Sequence, residues 1–215
     1  MSAIRKVMLG SVVGALVAPA GAAALMESVP KAESPAKPSC PNNPCLAISR
    51  TIGYQAKVGT DRGLMTVPRK GRIVSWTITL SKPGTKQIEF FDSKLGGPSE
   101  ASIAVLRFGK KLRARVVSVA PSVKLKPYFG RTVEFALTKS IPVEKGNVIA
   151  LSVPTWAPAL SVNHGSDTSW RASRKRGSCD DTQTQTAFGM NEIPQFYCLY
   201  RTAQITYSAR VISTP

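Results

Sequence analysis

The segment Thr132-Val-Glu-Phe-Ala-Leu-Thr138 decides the fold class, because apolar and polar residues alternate along it without interruption. Val133, Phe135 and Leu137 share one parity, and the residues between them are polar or small. A period of two places successive side chains on opposite faces of a β-strand. The pattern therefore predicts a strand that buries Val133, Phe135 and Leu137 and exposes its other face.

The same period recurs through residues 45–215. Gly71–Leu80 has Val74, Trp76, Ile78 and Leu80 on one parity, with Ile73 as the exception. Further segments read as strands: Leu46–Thr51, Gln87–Phe91, Ser102–Phe108, Arg115–Val119, Val148–Val153 and Tyr197–Val211. Turn-forming Gly, Pro and Asn separate them, and no helical period extends beyond a turn or two. Short strands at this spacing predict an all-β fold, an antiparallel β-sandwich.

One connection narrows the type of sandwich. The segment from Phe135 to Val153 contains the turn Ile141-Pro-Val-Glu-Lys-Gly-Asn147 between two alternating segments. It resembles a hairpin common in bacterial jelly rolls, in which Asp usually stands at the position of Asn147. Both side chains can bond their own backbone, so the turn tolerates the change. The resemblance implies a jelly-roll arrangement.

The first 24 residues predict export. Arg5 and Lys6 precede an apolar run from Val7 to Leu25, and Ala22-Ala23-Ala24 is an A-x-A cleavage pattern. This is the layout of a secretory signal peptide, cleaved after Ala24. A retained transmembrane anchor is the alternative, since the run is almost long enough to span a bilayer. The prediction is a secreted, extracellular protein with no transmembrane span in the mature chain.

Residues 25–44 are predicted to be a Pro-rich linker, and residues 45–215 the β-sandwich domain. The linker contains five prolines: Pro30, Pro35, Pro38, Pro41 and Pro44. Such a composition favours an extended, mobile segment.

The four cysteines predict two disulfides in an exported chain. Three pairings are possible, and the local one, Cys40–Cys45 with Cys179–Cys198, is favoured because each pair is close in sequence. A four-cysteine zinc site is the alternative, but the spacings do not match paired C-x₂-C knuckles. No metal and no cofactor are therefore expected.

The net charge of the chain limits the classes of molecule that it is expected to bind. The whole chain carries +17, and residues 25–215 carry 27 basic against 12 acidic residues, or +15. Such a charge predicts attraction to anionic polymers at the cell envelope. It does not choose among polysaccharide, wall polymer, lipid and nucleic acid, although the sparse aromatics argue against specific nucleic-acid binding.

Catalytic signals are weak. His164 is the single histidine, its neighbours Ser166 and Asp167 are too close in sequence to form a triad with it, and the chain has no G-x-S-x-G motif. Asp180-Asp181 could bind Ca²⁺ together with Asp167, although no known calcium loop is present. A hydrolase would need two facing carboxylates drawn from scattered positions. No catalytic residue is assigned.

The strongest positional signal is Trp170-Arg-Ala-Ser-Arg-Lys-Arg-Gly177, which holds four positive charges and one indole. Arginine binds phosphate and carboxylate bidentately, and tryptophan offers a flat face for stacking on a sugar. A solvated loop is the plainer alternative. The candidate binding residues are Trp156, His164, Asp167, Trp170, Arg171, Arg174, Lys175 and Arg176.

Five segments resemble a group of secreted proteins of soil actinobacteria to which no activity is assigned. They are Gly71-Arg-Ile-Val-Ser-Trp-Thr77, Val153-Pro-Thr-Trp-Ala-Pro-Ala-Leu160, Asp167-Thr-Ser-Trp-Arg-Ala-Ser173, Cys179-Asp-Asp-Thr182 and Cys198-Leu-Tyr-Arg-Thr-Ala203. The resemblance implies a secreted β-rich domain and no particular chemistry.

The predicted function is a secreted binding module for anionic or neutral polysaccharide of the cell wall or environment. A secreted carbohydrate-active hydrolase and a structural envelope protein without a small ligand are the alternatives. A buried carboxyl group in a cleft would favour the hydrolase, and an exposed Trp–Arg surface would favour the binding module.

Overall fold

The computed structural model describes residues 24–31 and 36–213. Its elements in chain order are β1 Met26–Val29, β2 Ile48–Val58, β3 Asp61–Arg62, β4 Gly71–Thr79, α1 Thr85–Lys94, β5 Glu100–Phe108, β6 Ala114–Val119, β7 Val123–Lys124, a 3₁₀ turn Lys126–Tyr128, β8 Thr132–Val143, β9 Val148–Ala157, β10 Leu160–Ser161, β11 Ser169–Ala172, β12 Cys198–Arg201, β13 Gln204–Ile205 and β14 Tyr207–Ser213. The predicted all-β class is confirmed.

Two antiparallel sheets pack face to face. One has the strand order β1-β14-β4-β8, and the other has the order β12-β11-β2-β9-β5-β6. Among the eight strands β1, β2, β4, β5, β6, β8, β9 and β14, the first pairs with the last, the second with the seventh, the third with the sixth and the fourth with the fifth. A ribbon rolled up in this way is a jelly roll.

The main core fills the space between the sheets. A bulge in β4 accounts for the one exception in the predicted alternation of Gly71–Leu80. Ile73 and Trp76 are both buried although their parities differ. Val74 is skipped in the ladders that β4 makes with β14 and with β8. An extra residue of this kind reverses the parity of the strand. Ile73 therefore faces the core before the bulge, as do Trp76 and Ile78 after it.

The turn at residues 144–147 joins two sheets and is not a hairpin. β8 and β9 lie in different sheets, so the chain crosses the sandwich here. The Asn147 side chain accepts the Glu144 N–H at 2.9 Å, and Gly146 supplies the positive φ of 86°. The predicted turn chemistry is present, but the predicted pairing of its two flanks is wrong.

The predicted strand Gln87–Phe91 is helical. It belongs to α1, whose Gly84 N–H is capped by the Gln87 side chain at 2.8 Å. Ile88 and Phe90 alternate with polar neighbours and so imitate a strand. The helical conformation is favoured by Phe91 and Leu95, which pack on Trp156 at the end of the sandwich. Tertiary packing of one helix face outweighs the local pattern.

The predicted long strand Tyr197–Val211 is divided into β12, β13 and β14. The chain leaves β12 at Arg201 and turns at Thr202, which has a positive φ of 58°. Arg201 is also where the alternation breaks in the sequence. β12 then pairs with β11, whereas β14 pairs with β1 and β4 in the opposite sheet.

The predicted linker contributes to the domain at both of its ends. Met26–Val29 form an edge strand on β14, and Val29 is buried. Ser39 N–H donates to Leu160 O at 3.0 Å, and Cys40 packs against Trp156. These parts of residues 25–44 are therefore part of the sandwich. The predicted signal peptide, residues 1–24, lies outside the described residues except for Ala24.

Both predicted disulfides form: Cys40–Cys45 and Cys179–Cys198. The first closes a small loop against the end of the sandwich, and the second ties the loop after β11 to β12. Disulfides of this kind persist in oxidising compartments. Within the described residues no helix is both long enough and apolar enough to cross a bilayer.

Candidate functional site

Two tryptophans predicted to bind a ligand are buried in the fold. Trp156 is 0% exposed, and its indole N–H donates to Asp92 Oδ1 at 2.8 Å and to Gly97 O at 3.0 Å. Trp170 is 4% exposed and stacks on Tyr200 with ring centroids 4.4 Å apart. Because neither indole presents a free face, the prediction that they stack on sugar is corrected.

Arg174 is also buried, at 2% exposure. Its Nε donates to Asp181 O at 2.9 Å and its Nη2 to Ser49 O at 2.7 Å, while Nη1 donates to the Tyr200 hydroxyl at 3.3 Å. The guanidinium therefore satisfies backbone carbonyls of strand β2 and of the loop that contains Asp181. Arg174 holds the disulfide-linked loop in place and is removed from the candidate binding residues.

His164 and Asp167 lie on the loop between β10 and β11. The His164 ring shares a 2.9 Å hydrogen bond between Nε2 and Ser161 Oγ, and the backbone N–H of His164 donates to Thr202 O. Asp167 is exposed. Their contacts do not join them to the basic residues that follow β11, so the structure does not assemble the predicted set into one site.

Of the three remaining basic residues of the predicted set, Arg171 and Arg176 lie at Tyr197. Arg171 Nη1 donates to Phe196 O at 3.1 Å and to Tyr197 O at 2.9 Å. Arg176 Cζ lies 5.9 Å from the centre of the Tyr197 ring, and this ring is 38% exposed. Lys175 is exposed beside them. These residues remain candidates for binding.

A second basic segment, which is not among the predicted binding residues, is the hairpin that joins β5 to β6. Within Arg107-Phe-Gly-Lys-Lys-Leu-Arg-Ala-Arg115 five residues are cationic, none is acidic, and all five cations are exposed. The number of charges in this run was the available signal. Arg107 and Arg115 are directly opposite each other in the ladder, which is an unfavourable pairing of like charges.

The turn of this hairpin is also strained. Lys111 and Leu112 have positive φ values of 56° and 57°, a pair of left-handed residues typical of a type I′ turn. Asn-Gly is the usual sequence there, and each non-glycine residue in this conformation costs about 1–2 kcal/mol. Strain of this kind clusters at functional sites.

The segment Gln195–Tyr197 brings the two basic segments together. On one side Phe196 N–H donates to Leu112 O at 2.8 Å, and Gln195 Nε2 donates to Lys111 O at 3.3 Å. On the other side Tyr197 N–H donates to Arg174 O at 3.1 Å. We define the basic surface as the six cations that flank this segment: Lys110, Lys111, Arg113, Arg171, Lys175 and Arg176.

A hollow of about 390 Å³, which we call the polar hollow, lies next to the basic surface and is lined by polar residues and by Phe188. Lys175 and Gln195 line it, together with hydroxyl and amide groups from Ser178, Thr184 and Gln185. Asp181 is on its wall, and hydrogen bonds from the Thr184 hydroxyl and backbone lower the pKa of this carboxyl. The hollow thus offers donors and acceptors of the kind that sugar hydroxyls use.

No ion pair involves the six cations of the basic surface in the part of the chain that the structure describes. The ion pairs found there are Arg69–Glu27, Lys70–Glu144 and Arg210–Glu134. Every described Asp and Glu is partly or fully exposed. Over the same residues no cluster of three or more His, Cys, Asp or Glu is suited to a metal ion.

Comparison of the chain with protein-family models, with curated proteins and with solved structures finds no match. The architecture and the site described above are therefore the basis for a functional conclusion. The resemblance to secreted actinobacterial proteins stays a prediction.

Proposed function

We propose that the protein binds an anionic polysaccharide at the cell envelope through its basic surface and the adjoining polar hollow. The observation that carries the proposal is the meeting of two basic segments, distant in sequence, on either side of Gln195–Tyr197. Guanidinium groups recognise the carboxylates or sulfates of such a polymer, and hydroxyl and amide groups in the hollow bond its ring hydroxyls.

Neutral polysaccharide is a weaker candidate. Modules that bind uncharged sugars need open aromatic faces, and Trp156 and Trp170 are buried. Tyr197 is the one ring at the basic surface that is substantially exposed, and Arg176 lies near it. We therefore expect charge to dominate binding and the tyrosine ring to add a single stacking contact.

The hydrolase and the structural envelope protein remain alternatives. A hydrolase would release reducing ends from the polymer, whereas a structural protein would bind neither charged nor neutral chains. Activity and binding assays on the same polymer separate the three.

The experiment compares dextran sulfate with uncharged dextran, because the two polymers share a backbone and differ in charge. We expect dextran sulfate to bind and dextran not to bind. Binding should weaken as salt rises, since the Debye length falls from about 10 Å at 0.1 M to about 3 Å at 1 M. Polygalacturonate tests carboxylate in place of sulfate.

Matched variants separate the site from bulk charge. Lys111→Ser, Lys175→Ser and Arg176→Ser together should lower affinity at least about tenfold, as expected for lost charge-assisted hydrogen bonds. Lys86→Ser, Lys126→Ser and Lys145→Ser remove the same charge from exposed positions elsewhere. Equal losses in both triple variants, or equal binding of dextran and dextran sulfate, would contradict the proposal.

A further inference from the structure

A second concave feature lies at the open edge of the sandwich. A groove of about 700 Å³ runs between β8, at the edge of one sheet, and the segment from Val117 to Val123 in and after β6. This volume lies within the range of about 300–1,000 Å³ common for ligand sites. The groove is separate from the basic surface, because none of the six cations lines it.

The groove is mainly apolar. Trp76 forms part of its wall and packs on Phe135 with ring centroids 4.9 Å apart. Phe135 and Leu137 are only partly buried, although they belong to the core face of β8. Met190 stands at the rim with 64% of its surface exposed. Ligand sites are lined mainly by hydrophobic and aromatic side chains with a few polar groups, and this groove has that composition.

The charged residues of the groove all have the same sign. Arg72 and Lys139 line it, and no carboxylate does. Arg72 is held in place, since its Nε donates to Ser140 Oγ at 2.7 Å and its Nη2 to Ser140 O at 2.8 Å. Its other guanidinium N–H groups remain available to an anion.

The cationic and aromatic parts occupy opposite ends of the groove. Arg72 is opposite Pro142 in the β4–β8 ladder, and Trp76 is opposite Phe135. Along β8, Lys139 lies four residues beyond Phe135, which is about 13 Å of extended strand. A ligand that touches both the cationic and the aromatic part must therefore be elongated. Charge complementarity therefore favours a ligand with an anionic head and an apolar chain.

We propose that the groove binds a single-chain anionic amphiphile, a fatty carboxylate. Its carboxylate lies at Arg72 and Lys139, and its acyl chain passes Leu137 and Val117 towards Phe135 and Trp76. This site acts independently of polysaccharide binding at the basic surface.

The test is titration calorimetry of the full chain with dodecanoate, below its micelle concentration, and with dodecanol. We expect dodecanoate to bind at least about tenfold more tightly, because only its head can accept charge-assisted hydrogen bonds. Leu137→Asp should weaken dodecanoate binding at least about tenfold, since it places a carboxylate in the apolar part of the groove. Phe90→Asp, the same kind of change at an exposed position of α1 outside the groove, should leave binding unchanged.

Exposed lysines supply a second pair of variants with little risk to folding. Lys139→Gln should weaken dodecanoate binding several-fold, and Lys145→Gln, which removes the same charge outside the groove, should not. Failure of dodecanoate to bind, equal binding of dodecanol, or equal effects of the two lysine variants would overturn the proposal. The triple variant Lys111→Ser, Lys175→Ser, Arg176→Ser should bind dodecanoate normally, so failure of one proposed site is distinguishable from failure of the other.

Discussion

The loop after β11 and the β5–β6 hairpin are both rich in basic residues, but the loop buries one of its arginines whereas the hairpin exposes every cation. In the loop, Arg174 points inward and bonds two backbone carbonyls. In the hairpin every cation is exposed, and the turn is strained at Lys111. A cluster of basic residues in a sequence therefore does not indicate which of its charged side chains are exposed and able to bind a ligand. That depends on which carbonyl groups the fold leaves without partners.

The largest expected effect is on stability, and it tests the structural role of the buried Arg174. Arg174→Ala should lower the free energy of unfolding by about 3 kcal/mol or more, because it leaves buried acceptors unpaired and opens a cavity. Urea unfolding measures this. Arg113→Ala, in the hairpin, should change stability by at most about 0.5 kcal/mol and instead weaken binding to dextran sulfate. If Arg174→Ala were as stable as the parent protein, the structural role of Arg174 would be wrong.

A smaller effect on stability tests the role of Tyr200, whose hydroxyl group accepts a hydrogen bond from Arg174. Tyr200 donates from its hydroxyl to Cys179 O and accepts from Arg174 Nη1. Tyr200→Phe removes both bonds and should cost about 1–2 kcal/mol of stability, measured by urea unfolding at pH 7. Tyr197→Phe, at the exposed ring, is the control and should cost much less.

The same tyrosine gives a pH dependence. Burial raises the pKa of Tyr200 above its ordinary value of 10.0, while the nearby Arg174 opposes the shift. The folded state therefore keeps the phenol proton to higher pH than the unfolded chain. The free energy of unfolding should therefore be unaffected by this group below about pH 10, and it should fall as the pH rises above that value because the unfolded chain loses the proton first. The fall should be less steep in Tyr200→Phe, although Tyr54 and Tyr207, whose pKa values are also raised, will retain part of it. An identical slope in both proteins would contradict this assignment.

The smallest expected effect on stability tests the strained turn of the exposed hairpin. Lys111→Gly should raise stability by about 0.5 kcal/mol, since relief of the left-handed strain exceeds the entropic cost of glycine. It should also weaken dextran sulfate binding, because a cation of the basic surface is lost. Lys110→Gly removes a neighbouring cation without positive φ and should not stabilise the protein. A destabilised Lys111→Gly protein would show that the turn is not strained.

Local pattern was a good guide wherever one face of a strand is buried. The alternation in Thr132–Thr138 and in Gly71–Leu80 predicted two strands, and the exception at Ile73 coincides with a bulge. It failed at Gln87–Phe91, where a short alternation was overruled by helix packing on Trp156. It also failed at Tyr197–Val211, where the chain leaves one sheet for the other.

The candidate site was only partly predictable for the same reason. Arg171, Lys175 and Arg176 were predicted and are at the basic surface, whereas Trp156, Trp170 and Arg174 are buried. The hairpin cations became relevant only because residues 195–197 bring them beside the loop. Contacts across more than 80 residues of chain have no local signal in a single sequence.

The amino-acid sequence by itself determined the all-β class, the two local disulfides and the strongly positive charge, because these depend on side-chain periodicity, cysteine spacing and composition. Only the tertiary structure decided which sheet each strand joins, which arginine is buried and where the open edge of the sandwich leaves a groove. Those features depend on long-range backbone pairing and on the satisfaction of buried polar groups, and both are settled when distant segments come into contact.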